Sequence, residues 1–377
     1  MKLIFLISGM SSWENSLPII YELSKVKKNK IILCVETKIF YEKFLKDQFR
    51  KNFLKKNNIT FLHLGRPKSL IEYFRLLILY LNLLVIKFDY IMETLDLDMD
   101  LKLTNYFLKI NLLYGCKRVK IFSDSLSEVE LKNTQIFYDA MSIINKKLNF
   151  SKYDFTLISQ NEEILKNVYK DIIFSKKNYN IGKIKFNEDW LNYINKFYDN
   201  QEIEDFDVLI PLSATKGKFL KGYESTSNEN KLETIFEVLS SIKNISVIFK
   251  PHSKSDMDFF NLLLSKYKFK YLISYYHLNY LCTKSKIVLT YHPTSAQIYA
   301  KHFKKKVIEY GEYDKKIEKL LNGKSRYHES VDIRIKTDKE KLKNEIEFYI
   351  KNYEINNISS KFKEERLSSI NEILKKS

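Results

Sequence analysis

Two short stretches of the 377-residue chain combine residue types that could bind a charged group. "VIFKPHS" places Lys250, Pro251 and His252 directly after an apolar run. "VLTYHPTSA", about 40 residues later, places His292, Thr294 and Ser295 after another. Four of the six histidines lie between 252 and 302. A lysine, imidazoles and a hydroxyl pair at the start of a helix would make a cradle for a phosphate, with charge met by N–H and O–H donors. The ordinary alternative is that Thr294 and Ser295 only cap a helix, since small hydroxylated residues accept the first backbone N–H groups. His292 has a second reading as the residue that shapes the turn before Pro293. His277 and His302 fall on helical segments and read as structural.

Two acidic residues are candidates for proton transfer. Asp124 ends an apolar run in "RVKIFSDSLSEVE", and Glu14 follows the first apolar run in "GMSSWENS", beside Trp13, which could stack on a sugar. A sugar hydroxyl is a weak nucleophile, so a carboxylate would have to take its proton as a bond forms. Asp124 reads equally well as a helix cap. "DLDMD" (96–100) has metal-ligand spacing, but acidic residues are also favoured in a first helical turn, and no metal is expected.

These residues need a scaffold, and the pattern is strand alternating with helix. Runs at 2–7, 30–35, 59–64, 89–94, 118–123 and 153–159 predict one series of strands. Runs at 208–213, 245–250, 271–274, 286–291 and 305–311 predict a second, beyond the acidic stretch "YDNQEIEDFD" (198–207). Apolar strands separated by helices imply parallel sheets covered on both faces. The expected fold is α/β and GT-B-like, two doubly wound Rossmann-like domains facing a cleft. Boundaries are predicted at 1–200, 205–345 and a helical tail, 346–377. Ligands in such sheets bind beyond the carboxyl ends of strands, where both motifs sit.

Composition narrows the classes. Cys34, Cys116 and Cys282 are distant and odd in number, which argues for a reducing compartment and against a disulfide framework. The net charge of +18 favours an anionic partner, although the lysines are scattered rather than gathered into a tract. A basic nucleic-acid-binding protein is the rival class; no recognition helix or aromatic platform supports it, and no nucleic acid is expected. "MKLIFLISGMSS" reads as a first strand rather than a signal peptide, since no small-residue cleavage pattern follows. Residues 70–88 read first as a buried helix and second as a contact with a membrane surface. Arg75, Asn82 and Lys87 interrupt a span.

"FKPH" at a strand end, then a strand and "TS" opening a helix, resembles the paired histidine and serine motifs of bacterial GT-B glycosyltransferases. It is most similar to the group using cytidine-activated donors, the polysialyltransferases, lipooligosaccharide sialyltransferases and related capsule enzymes. The match covers the C-terminal half well and the N-terminal half by architecture. The resemblance implies an inverting, metal-independent transferase with no cofactor, its N-terminal domain taking the acceptor and its C-terminal domain the nucleotide. His252, Thr294 and Ser295 would hold the donor phosphate, with Lys250 and His292 beside them. Asp124, with Glu14 as competitor, would be general base, and His252 would also serve the reaction. The implied substrates are a nucleotide-sugar donor, an acidic sugar on CMP, and a cell-surface glycan or glycolipid acceptor. The implied place is the cytoplasm, at the inner face of the membrane, with peripheral contact to anionic lipid.

The chain departs from the pattern in three places. Ser253 follows the histidine where the group has proline; Tyr299 stands where many UDP-sugar enzymes carry a ribose-binding glutamate; and Asp124-Ser125 replaces an acidic-glycine pair. Alternatives are transfer of a polyol phosphate from a CDP-activated donor, as in teichoic-acid-like capsule synthesis, and a sugar-nucleotide 2-epimerase. The epimerases' N-terminal arginine-bearing motif is missing.

Overall fold

In the computed structural model, the residues described are 1–7, 10–35, 38–65, 69–94, 107, 110–122, 155–159, 177–199, 201, 203–217, 225–252, 255–353 and 370–376. They form two all-parallel sheets, the doubly wound α/β class expected. The first contains β1 (Lys2–Ile7), β2 (Lys30–Val35), β3 (Thr60–His63), β4 (Tyr90–Thr94), β5 (Lys117–Phe122), β6 (Phe155–Ser159) and β7 (Lys177–Asn180), in the order 3-2-1-4-5-6-7. The second contains β8 (Phe206–Pro211), β9 (Ser246–Lys250), β10 (Lys270–Ile273), β11 (Ser285–Thr290), β12 (Lys306–Tyr310) and β13 (Ile333–Ile335), in the order 10-9-8-11-12-13. In each sheet the order reverses once, beside β1 and beside β8. That reversal opens a crevice at the carboxyl ends of the strands.

Burial on both faces explains the near-continuous apolar strands. Leu3 to Ile7 are all buried, as are Ile287 to Leu289. Edge strands escape this rule. The polar β7, "KNYN", and the three-residue β13, "IRI", lie at sheet edges and carry no apolar run, so periodicity predicted neither.

The helices are α1 (Met10–Ser24), α2 (Lys38–Lys46), α3 (Gln48–Lys56), α4 (Leu70–Val85), α5 (Glu188–Tyr198), α6 (Asn228–Ser241), α7 (Met257–Leu264), α8 (Leu278–Thr283), α9 (Ala296–His302), α10 (Lys315–Leu320), α11 (Lys339–Lys351) and α12 (Ile370–Lys376). The first runs through Pro18. Pro18 has no N–H for the carbonyl four residues back. Trp13, Leu17 and Ile20, one helical face, are nonetheless buried at 0–1% exposure, and that burial outweighs the missing bond. Trp13 lies edge-on to Phe44 at 4.2 Å and to Phe53 at 6.4 Å. It is core, and the expectation that it stacks on a sugar fails.

The chain divides into two compact units, Met1–Leu126 with Glu130–Leu191 and Phe362–Ser377, and Ser127–Val129 with Asn192–Lys361. Helix α11 packs on α6 in the second unit, burying Leu342 and Ile346. Helix α12 packs on α1 in the first, where the Leu374 carbonyl accepts from the Tyr90 hydroxyl.

Helix α4 corrects the reading of 70–88 as a buried helix. Only Leu76, Tyr80 and Leu83 are buried along it, while Leu70, Ile71, Phe74, Ile78, Leu81 and Val85 are 54–80% exposed. Among the described residues no helix is long and apolar enough to cross a membrane.

Leu374 is fully buried, as are Ile370 and Ile373 beside it at 2–3% exposure. Leu374→Ala is expected to lower stability by about 2–5 kcal/mol, the usual cost of truncating a packed leucine. Urea unfolding followed by tryptophan fluorescence would measure it, since Trp13 and Trp190 both lie in the core of the first unit.

Candidate functional site

Because the strands of the second sheet are parallel, the residues that follow β8, β9 and β11 emerge at one edge, around the reversal in strand order. Strands β9 and β11 flank β8, so their ends stand about 10 Å apart, two strand spacings. Lysine and histidine side chains can cover that gap. The loops are tied to each other by hydrogen bonds. Leu212 N–H donates to the Lys250 carbonyl at 2.8 Å, and Ser213 N–H to the Tyr291 hydroxyl at 2.8 Å. Ser255 Oγ donates to the Ser213 carbonyl at 2.8 Å and accepts from the His252 N–H at 3.1 Å. The backbone carrying His252 is thus held to the loop after β8.

Electrostatics at this edge is set first by burial and then by neighbouring basic groups. His292 is 3% exposed, and its pKa is pushed down to about 3, first by burial, then by the nearby Lys231 and His252. At neutral pH its imidazole is uncharged and can still donate a hydrogen bond. Lys231, in the first turn of α6, is also 3% exposed, and its Nζ donates to the Tyr291 carbonyl at 3.2 Å. Gly311 makes room for it. That residue has φ +150°, and a Cβ there would stand 3.1 Å from both Cε and Nζ of Lys231. His252 is exposed and Lys250 half-buried, so charge runs from the interior to the surface of one edge.

The Thr294-Ser295 bend does not behave as an ordinary cap. Ser295 occupies the cap position of α9 with helical φ −59° and ψ −17°, and its side chain makes no capping hydrogen bond. The residue is exposed. Thr294 Oγ1 accepts from the Ala296 N–H at a long 3.4 Å. Helix α9 spans seven residues, too short for a strong dipole. Any anion here would be met by side-chain hydroxyls, imidazole and ammonium groups rather than by the helix as a whole. His277 is a cap: its Nδ1 accepts from the Asn279 N–H at 3.2 Å.

Lys250, His252, His292, Thr294 and Ser295 therefore share one edge of one sheet. Glu14 lies elsewhere, within α1 rather than in a loop, with its carboxylate 3.9 Å from Arg50 of α3. Asp124, Ser253 and the acidic stretch 96–100 lie outside the described residues.

Sequence reading passed over two residues. Lys231 was hidden among 64 basic residues. Glu309 had a visible signal, a charge inside the apolar strand "KVIEY". It is 1% exposed, and Oε2 accepts from Gln297 Nε2 and from Ser325 Oγ, both at 2.6 Å. Oε1 accepts from the Tyr313 hydroxyl and lies 3.6 Å from Arg334 Nε. Gln297 also donates to Thr290 Oγ1 at 2.8 Å, which joins the first turn of α9 to the end of β11. The Arg334 guanidinium stands 3.6 Å over the Tyr313 ring and binds Glu318. Burial raises the Tyr313 pKa, and the adjacent Glu309 raises it further, so the phenol stays a donor.

No family model and no curated protein matches the chain. Solved structures do. The Neisseria meningitidis UDP-GlcNAc 2-epimerase bound to UDP-GlcNAc is 15% identical, with TM-score 0.52, over 94% of this chain and 95% of its own. A UDP-N-acetylglucosamine 2-epimerase is 14% identical, with TM-score 0.54, over 93% and 88%. The S. aureus MnaA–UDP structure is 12% identical, with TM-score 0.52, over 93% and 87%. At these identities the likeness is one of fold, and it spans both sheets.

Two outcomes follow from this geometry. A histidine held near pKa 3 against an unfolded value of 6.5 leaves the folded state with fewer bound protons between those pH values. Its contribution is intact above pH 6.5 and is lost as pH falls toward 3, at up to about 1.4 kcal/mol per pH unit. Comparing urea midpoints at pH 7 and pH 5, His292→Asn is expected to lose about 2 kcal/mol less than the parent. Glu309→Ala leaves Arg334 buried without its inner partner and is expected to cost about 3–5 kcal/mol. For both second-unit variants the urea transition is followed by far-UV circular dichroism, since both tryptophans lie in the first unit.

Proposed function

We propose that the second unit binds the phosphate of a nucleotide sugar at the edge formed by Lys231, Lys250, His252, His292, Thr294 and Ser295, and that the protein transfers the sugar to an acceptor. The observation that carries this reading is the convergence of Lys231 and His252 on the buried imidazole of His292, whose pKa burial lowers first and these two groups lower further. An anion would be met there by the Lys231 ammonium and by imidazole N–H donors, and Ser295, an exposed residue whose side chain makes no capping bond, stands at the same edge. The structures of similar fold crystallised with UDP-GlcNAc and UDP support a nucleotide sugar as the anion.

In the proposed reaction an acceptor hydroxyl attacks the anomeric carbon, and the bond from that carbon to the phosphate oxygen breaks. The nucleotide leaves with the electron pair, its charge met by the hydroxyls, Lys231 or Lys250, and His252. A carboxylate, Asp124 or Glu14, takes the hydroxyl proton, and single displacement inverts the anomeric centre. No metal ion is needed to offset the leaving charge. The motif resemblance favours a CMP-activated acidic sugar, such as a sialic acid, and a capsule or lipooligosaccharide precursor at the inner face of the cytoplasmic membrane. Tyr299, standing in place of a ribose-binding glutamate, supports the choice against UDP. Epimerisation of UDP-GlcNAc is the second reading, favoured by the fold of two 2-epimerase structures.

Thermal unfolding with CMP, CDP and UDP separates the two, because a ligand that binds only the folded state raises the midpoint according to its affinity. The expected order is CMP first, unchanged by EDTA. A shift with UDP alone, together with conversion of UDP-GlcNAc, would establish epimerisation instead. Ser295→Ala should weaken CMP binding by about 1–3 kcal/mol while leaving the ligand-free midpoint unchanged. Ser295→Asp should abolish it, since a second anion would face the phosphate. Full binding by Ser295→Asp would remove the phosphate site from this edge.

A further inference from the structure

The exposed face of α4 has no role in nucleotide binding. Leu70, Phe74, Ile78, Leu81 and Val85 recur every three or four residues, so they form one stripe, 54–80% exposed, along a helix of 16 residues. At 1.5 Å per residue the stripe is about 24 Å long. Its opposite face, Leu76, Tyr80 and Leu83, holds the helix on the first sheet. An apolar strip of this size is uncommon on a protein that works alone in water.

The C-terminal end of the stripe meets a basic rim. Lys2 pairs in register with Lys30, and Leu3 with Tyr90, which pairs in turn with Lys117. The first residues of β1, β2 and β5 therefore stand in a row at the amino edge of the sheet. Lys2 Nζ donates to the Ile86 carbonyl at 2.8 Å, joining that row to the end of α4. Lys28 and Lys87 are exposed in the turns entering β2 and β4, and Lys56 is exposed at the end of α3, before β3. Leu113 (77% exposed) and Tyr114 (82%) stand just before Lys117. Acidic groups are few here among the described residues. Asp89 accepts from the Lys2 N–H at 2.7 Å, and Glu72 lies in the first turn of α4 with Arg75 one turn on.

We propose that this surface docks on an anionic lipid bilayer, with the α4 stripe inserted at the headgroup boundary and the lysine rim against the lipid phosphates. Charge decides the occupant. A second copy of the chain would bring a net +18 against +18, which opposes self-association, whereas an anionic bilayer attracts both the rim and the whole molecule. An amphipathic helix lying flat with basic residues beside it is the usual form of such an anchor. The inference stands apart from the identity of the nucleotide, because every residue in it belongs to the first unit.

The test is co-sedimentation of the full chain with phosphatidylcholine vesicles, with and without phosphatidylglycerol. The parent is expected to partition onto the phosphatidylglycerol vesicles and to release as salt is raised. Phe74→Ser/Ile78→Ser should lower the partition coefficient about tenfold or more, and Lys87→Glu/Lys117→Glu should lower it for anionic vesicles. All these side chains except Lys117 lie on or beside α4, and an unchanged thermal midpoint and nucleotide shift would show that the variants fold. Equal partitioning of parent and Phe74→Ser/Ile78→Ser would overturn the proposal. So would a stable dimer, seen by light scattering, that the same substitutions dissolve while vesicle binding is absent.

Discussion

The carboxylate of Glu309 is the constraint on which the carboxyl-end edge of the second sheet depends. A charge buried to 1% exposure has to be met by donors, or folding would lose several kilocalories per mole to desolvation. Here the donors come from α9, from Tyr313, from Ser325 and from Arg334 in the middle of the edge strand β13. Since Gln297 serves both Glu309 and Thr290, the first turn of α9 cannot rotate without breaking bonds on two strands. The hydroxyls of Thr294 and Ser295 inherit that rigidity, although neither bonds to Glu309.

Around this anchored turn the protein assembles positive charge that the fold alone does not require. Lys231 and His292 could be replaced by apolar residues of similar volume without straining a parallel sheet. Instead Lys231 is kept buried under Gly311, where a larger residue would push it out. Burial, and after it the nearby Lys231 and His252, keep His292 uncharged at neutral pH, so a polar imidazole is retained inside at a cost in desolvation. Perturbed groups of this kind concentrate where a ligand completes the charge balance. Strand topology supplies the location, because the reversal beside β8 leaves the ends of β8, β9 and β11 open together.

The first unit uses the same strand order for a different surface. Its helices place lysines at the amino edge of the sheet, and α4 turns half of its apolar residues outward. The three cysteines are unpaired and buried, and burial raises their pKa values, Cys116 and Cys282 to about 12, so they act as core residues. Aromatic packing of Trp190 against Phe49, Phe53 and Tyr21 at 5.6–6.0 Å closes the unit on α1 and α3.

Much of this was legible in the order of residues. Parallel strands buried on both faces have to be apolar throughout, so β1 and β2 could be read with their boundaries, and the alternation with helices identified two doubly wound sheets. The positions of Lys250, His252, His292, Thr294 and Ser295 followed, since a residue after a parallel strand has only one edge to occupy. What periodicity could not show was which side of a helix faces inward and which polar residues meet across the chain. Helix α4 is apolar on every side, so only the sheet beneath it decides which stripe is buried. Trp13 read as a residue that could stack on a sugar, and only its burial against Phe44 and Phe53 makes it core. Lys231 and Gly311 are 80 residues apart, and Glu309, Gln297 and Arg334 come from three different elements. Their contacts arise when the second sheet packs against its helices, and no local pattern carries them.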